Sequence, residues 1–542
     1  MTCENEEPIR LRARIRTPFV WVLLPLIMGY IVARFWQVSI SFLVYFGVVL
    51  GICWGLAWWL DRRIWYWNLL GVLSIFCLSW GHMLSTLPKY LDWSEKPERE
   101  AYLVVKIRQL FGVKNNKVQL GGVGEIVEAE KHLNNLVGQK VYFFIKNNGI
   151  LMDNGDIAKG SLIEVKGIVS SINQNAEAGF EKYLTSQSVG FKLYRGKLLE
   201  IKKKANWFYR FCYKQNKEME KILERGRFGV SNCCVGTYKA ILLGKQSSLT
   251  PEQKASYRIT GCLHLFSISG LHIGVVAGCL AFFLRVVNLR NPWGAIIMIS
   301  VLFIYVQITG GSSPAMRAFY MVLFYWGARM FWRKSCAFSA LLVSAFVALV
   351  LNPFELSNIG FQFSYAVVGS IILYGLPMNE ILNHELGDKF PTIIQKGLRW
   401  LVNLLGISIA ANIGATFLSM CYFNVFAPGS ILLNVIVIPL ASVIIVMGFI
   451  VLLMGLVGLN FIGEIINSVS WLLIQVMEEI ILLSLRVPGL FLDSFKANQI
   501  FSYLSLGILF GFLYWSHRAN QLQKWRFYLM PIGIIGLFIG LN

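Results

Sequence analysis

His264-Leu265-Phe266-Ser267-Ile268-Ser269-Gly270-Leu271-His272-Ile273-Gly274-Val275-Val276-Ala277-Gly278 is an apolar run broken by two histidines, two serines and three glycines. Gly270, Gly274 and Gly278 are four residues apart, so on a helix they form one smooth strip where a second backbone can come close. Ser269 and His272 are three apart and make a polar patch on another side of the same helix. A close-packing strip and a polar face on one apolar helix is an unusual demand. It points to a membrane bundle with a polar interior.

The rest of the chain agrees. Of 542 residues, 56% are hydrophobic and 15% charged, and mean hydropathy is +0.58. A soluble protein needs more polar surface, so the fold class is a polytopic α-helical membrane protein. Net charge is +21, from 50 basic and 29 acidic side chains. Much of the excess lies in a polar block between about 89 and 228, which suits an anionic partner such as nucleic acid or lipid headgroups. None of the ten cysteines lies between 90 and 205, and no Cys-x-x-Cys or Cys/His cluster is present. No metal or cofactor is therefore expected. Cys233-Cys234 reads as two small apolar residues.

Four domains are predicted: N-terminal membrane helices in 1–88, a β domain in 89–205, an amphipathic or re-entrant connector in 206–262 and a second helical domain in 263–542. Arg10, Arg12, Arg14 and Arg16 precede the first apolar run, and no small-x-small cleavage site follows, so this is a start-transfer anchor. Spans are expected near 18–35, 39–60, 64–87, 264–287, 293–310, 315–332, 336–352, 358–378, 401–423, 430–457, 462–484, 498–516 and 526–541, about thirteen in all. With the N-terminus and Asp61-Arg62-Arg63 cytoplasmic, residues 89 to 260 lie outside, and most later basic clusters fall inside. Arg486 and Lys496 fall on the other side.

Within 100–200, Tyr102–Arg108, Lys140–Lys146 and Ser161–Val169 alternate as strands do, and Asn147-Asn148-Gly149, Asn154-Gly155-Asp156 and Lys159-Gly160 are turn chemistry. Several short strands in about 100 residues suggest a small basic β-barrel of OB-like type. Residues 203–230 read as a basic amphipathic helix, with Trp207, Phe208, Phe211 and Ile222 against the membrane and Lys214, Lys217, Lys221 and Arg225 outward.

Polar residues in the apolar half are costly, so they are functional candidates. His264, Ser267, Ser269, His272, Arg317, Gln362 and Asn412 are read as lining or gating a polar path. Arg317 cannot be neutralised and needs a partner, water or a passing anion. Ser364, Thr416 and Asn434 are further polar residues in that half, with interhelical hydrogen bonds the plain reading of Asn412, Thr416 and Asn434. Ser269 with His272 also permits an intramembrane serine hydrolase, which needs a nucleophile, a base and an oxyanion site. No Walker A motif and no His-x-His-x-Asp-His cluster stand in the sequence.

The opening stretch, with Leu242-Leu243-Gly244-Lys245 through Thr250-Pro251-Glu252 ahead of it, resembles the central motif of the ComEC family, the inner-membrane channels of natural competence. Met316-Arg317-Ala318, Asn352-Pro353 through Ser364, and Phe423 through Asn434 and Pro439 are similar to further passages of that family. Gly179-Phe180-Glu181-Lys182-Tyr183-Leu184 followed by Gly190 resembles the signature of its OB-like domain. The resemblance implies passage of single-stranded DNA across the cytoplasmic membrane in transformation. A basic outer barrel can attract the phosphate backbone, and Lys182, Tyr183, Lys192, Arg195, Lys202, Lys203 and Lys204 are the nucleic-acid-binding candidates, with Tyr183 able to stack an unpaired base. Membrane lipids, a DNA receptor, a separate nuclease and a cytoplasmic motor or ssDNA-binding proteins are the implied partners. Two departures matter. Many relatives end in a metallo-β-lactamase-like domain, whereas this sequence ends in apolar helices at Asn542, so the chain is expected to be no enzyme itself. Phe417 stands where the family usually has a proline, which puts a helix kink there in doubt. A transporter of another polyanion is the remaining alternative.

Overall fold

A computed structural model gives the fold and describes residues 19–60, 65–87, 98–111, 119–146, 157–172, 181, 184–185, 189–226, 231–289, 292–331, 336–386, 391–493, 495, 497–518 and 525–541. Three helices open the chain: α1 (Val20–Val32), α2 (Ile40–Trp59) and α3 (Trp65–Thr86), with α3 packed against both others.

Five strands follow: β1 (Arg99–Phe111), β2 (Gln119–Ala129), β3 (Lys140–Lys146), β4 (Leu162–Ser171) and β5 (Val189–Lys203). They close into one sheet in the order β1-β2-β3-β5-β4, with β3 parallel to β5 and every other pair antiparallel. Period-two alternation decides the inside. Ala101, Leu103, Val105, Ile107, Val141, Phe143, Ile145, Ile163 and Val165 are fully buried there, while Tyr102 and Lys106 between them are exposed. Gly124 makes room for this filling, since a Cβ there would stand 2.2 Å from a Val105 methyl. Gly160, at φ +90°, makes the turn expected at Lys159-Gly160. The turns expected at 147–149 and 154–156 lie outside the described residues.

The chain then forms α4 (Trp207–Glu224), α5 (Asn232–Leu243), α6 (Pro251–Ile259), α7 (Gly270–Val286), α8 (Trp293–Ile308), α9 (Ser313–Met330) and α10 (Ala337–Leu351). After them come α11 (Ile359–Leu386), α12 (Thr392–Phe423), α13 (Ser430–Val457), α14 (Asn460–Ser484), α15 (Gln499–Arg518) and α16 (Trp525–Leu541). Seven described helices are long and apolar enough to cross a membrane, and five shorter apolar ones accompany them. Large apolar side chains such as Phe35, Trp58, Phe282 and Val457 stand exposed, a surface suited to lipid.

Several elements differ in detail from the sequence pattern. The amphipathic α4 does not lie alone on a surface. Cys212, Met219, Ile222 and Leu223 are buried in the helical core, Phe208 stacks on Phe303, and Ile222 fills the space beside Gly455. α12 begins at Thr392, directly after Pro391, and runs straight past Phe417. With an N–H where a proline would have none, Phe417 continues the helix and packs edge-on against Phe538 at 5.0 Å. α11 carries one wide π turn at Ile371–Gly375. Pro377 cannot donate to the Leu373 carbonyl, and His517 Nε2 stands 2.7 Å from that oxygen. α11 and α12 approach closely at Gly414, where a Cβ would be 2.8 Å from the Ala366 carbonyl.

Candidate functional site

The motif that opened the reading folds as a series of short pieces. α5 ends on Gly244 in the left-handed region, and Thr250 caps α6 through a reciprocal box with Gln253 (3.2 and 3.0 Å). A 3-10 turn, Cys262–Phe266, and an extended step at Ser267 lead into α7. His264 is exposed, with Nδ1 2.8 Å from the Gly261 carbonyl, and Ser267 donates to the His264 carbonyl at 3.3 Å.

Ser269 is the N-cap of α7 rather than a member of its face, and this changes the expected polar patch. The Ser269 backbone N–H donates to His272 Nδ1 at 3.3 Å, with Ser269 Oγ 3.1 Å from the same nitrogen. An accepting Nδ1 puts the ring proton on Nε2, which is buried and has no partner among the described residues. His272 itself is wholly buried, so it lines no open path in this arrangement. The glycine strip is also corrected. A Cβ at Gly270, Gly274 or Gly278 would meet no other described residue within 4 Å, and all three glycines are exposed. α7 packs instead through Ile273, Val276 and Ala277, on a neighbouring side of the helix.

Arg317 has the partner it requires. It is 2% exposed, at the start of α9, and its guanidinium donates to Ser313 Oγ (2.7 Å) and the Gly360 carbonyl (2.8 Å). Glu355 Oε2 lies 3.5 Å from Nη1 and accepts from Ser313 Oγ (2.7 Å) and Asn358 Nδ2 (3.3 Å). The Arg317 passage and the Asn352–Ser364 passage are thereby joined into one buried ion pair. Close by in sequence, Ser357 accepts from the exposed Arg34 at the end of α1. Gln362 donates to the Leu356 carbonyl (2.9 Å) and accepts from Tyr422 and Tyr503, both at 3.0 Å. Asn412 ties α12 to the next turn through the Ala427 carbonyl (3.0 Å) and Ser430 Oγ (2.8 Å).

One group was missed. Glu478, half-buried on α14, accepts from Thr237 Oγ1 (2.5 Å), Gln253 Nε2 (2.9 Å) and Tyr257 Oη (3.1 Å), with Cys234 Sγ at 3.7 Å. These donors are neutral, and three of them come from α5 or the start of α6, so the carboxylate pins that part of the motif to α14. An acid within an apolar helix was the available signal.

On the barrel, Lys182 and Tyr183 lie outside the described residues. Lys192 is held by Glu181, and Lys202 sits between Glu128 (3.2 Å) and Glu164 (3.7 Å). Arg195, Lys203 and Lys204 are exposed. Burial, with Arg108 nearby, holds the Lys140 and Lys159 ammonium groups below the usual lysine range.

The model of the competence protein family matches residues 241–518, half of this chain. The chain belongs to that family. Three relatives extend the comparison. ComE operon protein 3 of Bacillus subtilis (strain 168) is 28% identical over 205 residues, 38% of this chain and 24% of the relative. Recombination protein 2 of Haemophilus influenzae is 25% identical over 225 residues, 39% of this chain and 27% of the relative. Competence protein ComA of Neisseria gonorrhoeae is 26% identical over 149 residues, 26% of this chain and 21% of the relative. The alignments thus span about a quarter of the curated relatives' length. No solved structure matches.

Proposed function

We propose that this competence-family chain is a channel that passes single-stranded DNA across the cytoplasmic membrane in natural transformation. The observation that carries the reading is a competence-type apolar helical domain joined to a basic closed five-stranded sheet. The strand order, with β3 parallel to β5, supports an OB-like domain, and the N-terminal arginines favour a cytoplasmic N-terminus with that domain outside. The barrel gathers the phosphate backbone, with an affinity that falls as salt rises. The helical half offers polar groups that bind a strand weakly enough to release it. Arg317, now held by Glu355 and Ser313, is the group a passing phosphate would draw from its carboxylate. A DNA receptor and a cytoplasmic motor or ssDNA-binding proteins complete the pathway.

In a strain with a single copy, clean deletion is expected to abolish arrival of labelled DNA in the nuclease-protected cytoplasm while surface binding persists. Unchanged transformation would overturn the proposal. Arg317→Ala should lose transport with the protein still in the membrane; normal uptake shows that the lining is elsewhere.

The 3.1 Å approach of Ser269 Oγ to His272 Nδ1 favours one competing reading, an intramembrane serine hydrolase. Fluorophosphonate labelling that disappears in Ser269→Ala would support it, and no labelling argues against it.

A further inference from the structure

The outer face of the barrel carries a row that the motifs did not single out. Tyr102 on β1 stands opposite Lys166 on β4, Lys166 opposite Lys197 on β5, and Lys197 opposite Lys146 on β3. Residues directly opposite one another share a face, so three lysine positions on three neighbouring strands fall in one line. Strands are about 4.8 Å apart, which brings the three positions within roughly 10 Å. Like charges facing each other across strands are unfavourable, and this sheet retains them. Lys166 is partly offset by exposed Glu100 at 3.2 Å and lies 4.8 Å from the centre of the Tyr102 ring. Lys197 is exposed and has no carboxylate partner among the described residues. The next row holds acids instead, Glu164 opposite Glu200, with Lys202 already bound to Glu164.

A second observation concerns Arg195. It is a non-glycine residue at φ +52°, and pairing shifts register on both sides of it, between Phe143 and Ile145 on β3 and between Lys166 and Ile168 on β4. Simple alternation would turn Arg195 inward with buried Leu193; the bulge exposes it beside Lys197. A strained backbone that moves a cation from the core face to the outer face is a feature with a purpose beyond packing.

We propose that this row is where the backbone of a single-stranded nucleic acid crosses the barrel. Lys166, Lys197 and Arg195 meet successive phosphates, and an unpaired base stacks on Tyr102. The proposal rests on the DNA reading above. It goes further by placing the contact on one line of the β3-β5-β4 face, where Lys197 has no carboxylate partner among the described residues. An aromatic ring at the end of a cationic row is what unpaired bases use, whereas a headgroup layer asks only for charge.

The test uses the full-length chain in detergent micelles, a labelled single-stranded oligonucleotide and a salt series. The Lys166→Gln/Lys197→Gln double variant is expected to flatten the slope of log K against log salt by about 1.4, at roughly 0.7 per lost phosphate contact. Tyr102→Leu should weaken binding by about five- to a hundredfold with the slope kept. Lys106→Gln/Lys131→Gln, two exposed lysines outside the row, is the control and should change affinity by less than about threefold. A wild-type slope in the row variant, or an equal loss in the control, overturns the row while leaving the DNA reading intact. A wild-type chain that binds no oligonucleotide overturns both. Loss of binding to anionic vesicles in the row variant, with oligonucleotide binding kept, identifies lipid as the occupant and also overturns the proposal.

Discussion

The barrel and the helical half hold their charges in different solvents, and the same ion pair means different things in each. On the barrel, Arg108 and Glu125 meet at 2.5 Å with side chains 55% and 33% exposed. In the helical half, Arg317 and Glu355 lie 3.5 Å apart, only 3% and 13% exposed, with Ser313, Asn358 and the Gly360 carbonyl bonded around them and Arg317 Nε without a partner among the described residues. Water screens the first pair, so its geometry says little about stability. The second has replaced its water with protein, and neither partner can be removed alone. A charge on the barrel is therefore free to take a new partner, while a charge in the bundle changes partner only if the bundle moves.

That contrast can be broken most directly at the buried pair. Glu355→Ala leaves a guanidinium buried without its carboxylate and should cost about 3–5 kcal/mol, whereas Glu355→Ala with Arg317→Met should recover most of the loss. Thermal denaturation in detergent checks both, and a Glu355→Ala protein as stable as wild type would remove the distinction. Leu103→Ala, in the filled interior of the barrel, should cost about 2–5 kcal/mol. Limited proteolysis should then cut the barrel while sparing the helices; equal loss in both regions would show that they do not unfold separately. Glu478→Gln keeps an acceptor for Thr237, Gln253 and Tyr257 but removes its charge, and about 1–2 kcal/mol should go. Glu125→Gln, at the exposed pair, should change stability by less than about 1 kcal/mol, and less again at high salt. A larger effect there would mean that the barrel pair is not screened.

The two halves were also unequally legible. Strand alternation reports directly on the inside and outside of a barrel, and Tyr102–Arg108, Lys140–Lys146 and Ser161–Val169 all lie in or against strands of the closed sheet. Apolar runs located the long helices, although Gln395, Lys396 and Arg399 hid the first turns of α12 because polar ends of a long helix read as loop. Partners could not be read. A sequence shows that Arg317 needs one, but Glu355 is brought to it by the turn of Pro353–Ser357, which the hydropathy pattern does not describe. Glycine spacing was the weakest guide. It shows where a backbone is able to approach, and at Gly270, Gly274 and Gly278 no part of the described chain does so. Glu478 carries the same signal as the histidines, since an acid in an apolar helix asks for partners just as strongly.

The central claim is that a DNA strand passes through the interior of this chain. It is tested most directly by a photo-crosslinking residue at Gln362, inside the bundle, and in parallel at Leu472, exposed on the apolar face of α14, during uptake of labelled DNA. The account predicts DNA adducts at 362 and none at 472. Uptake that proceeds with no adduct at 362, or with equal labelling at both positions, would contradict it.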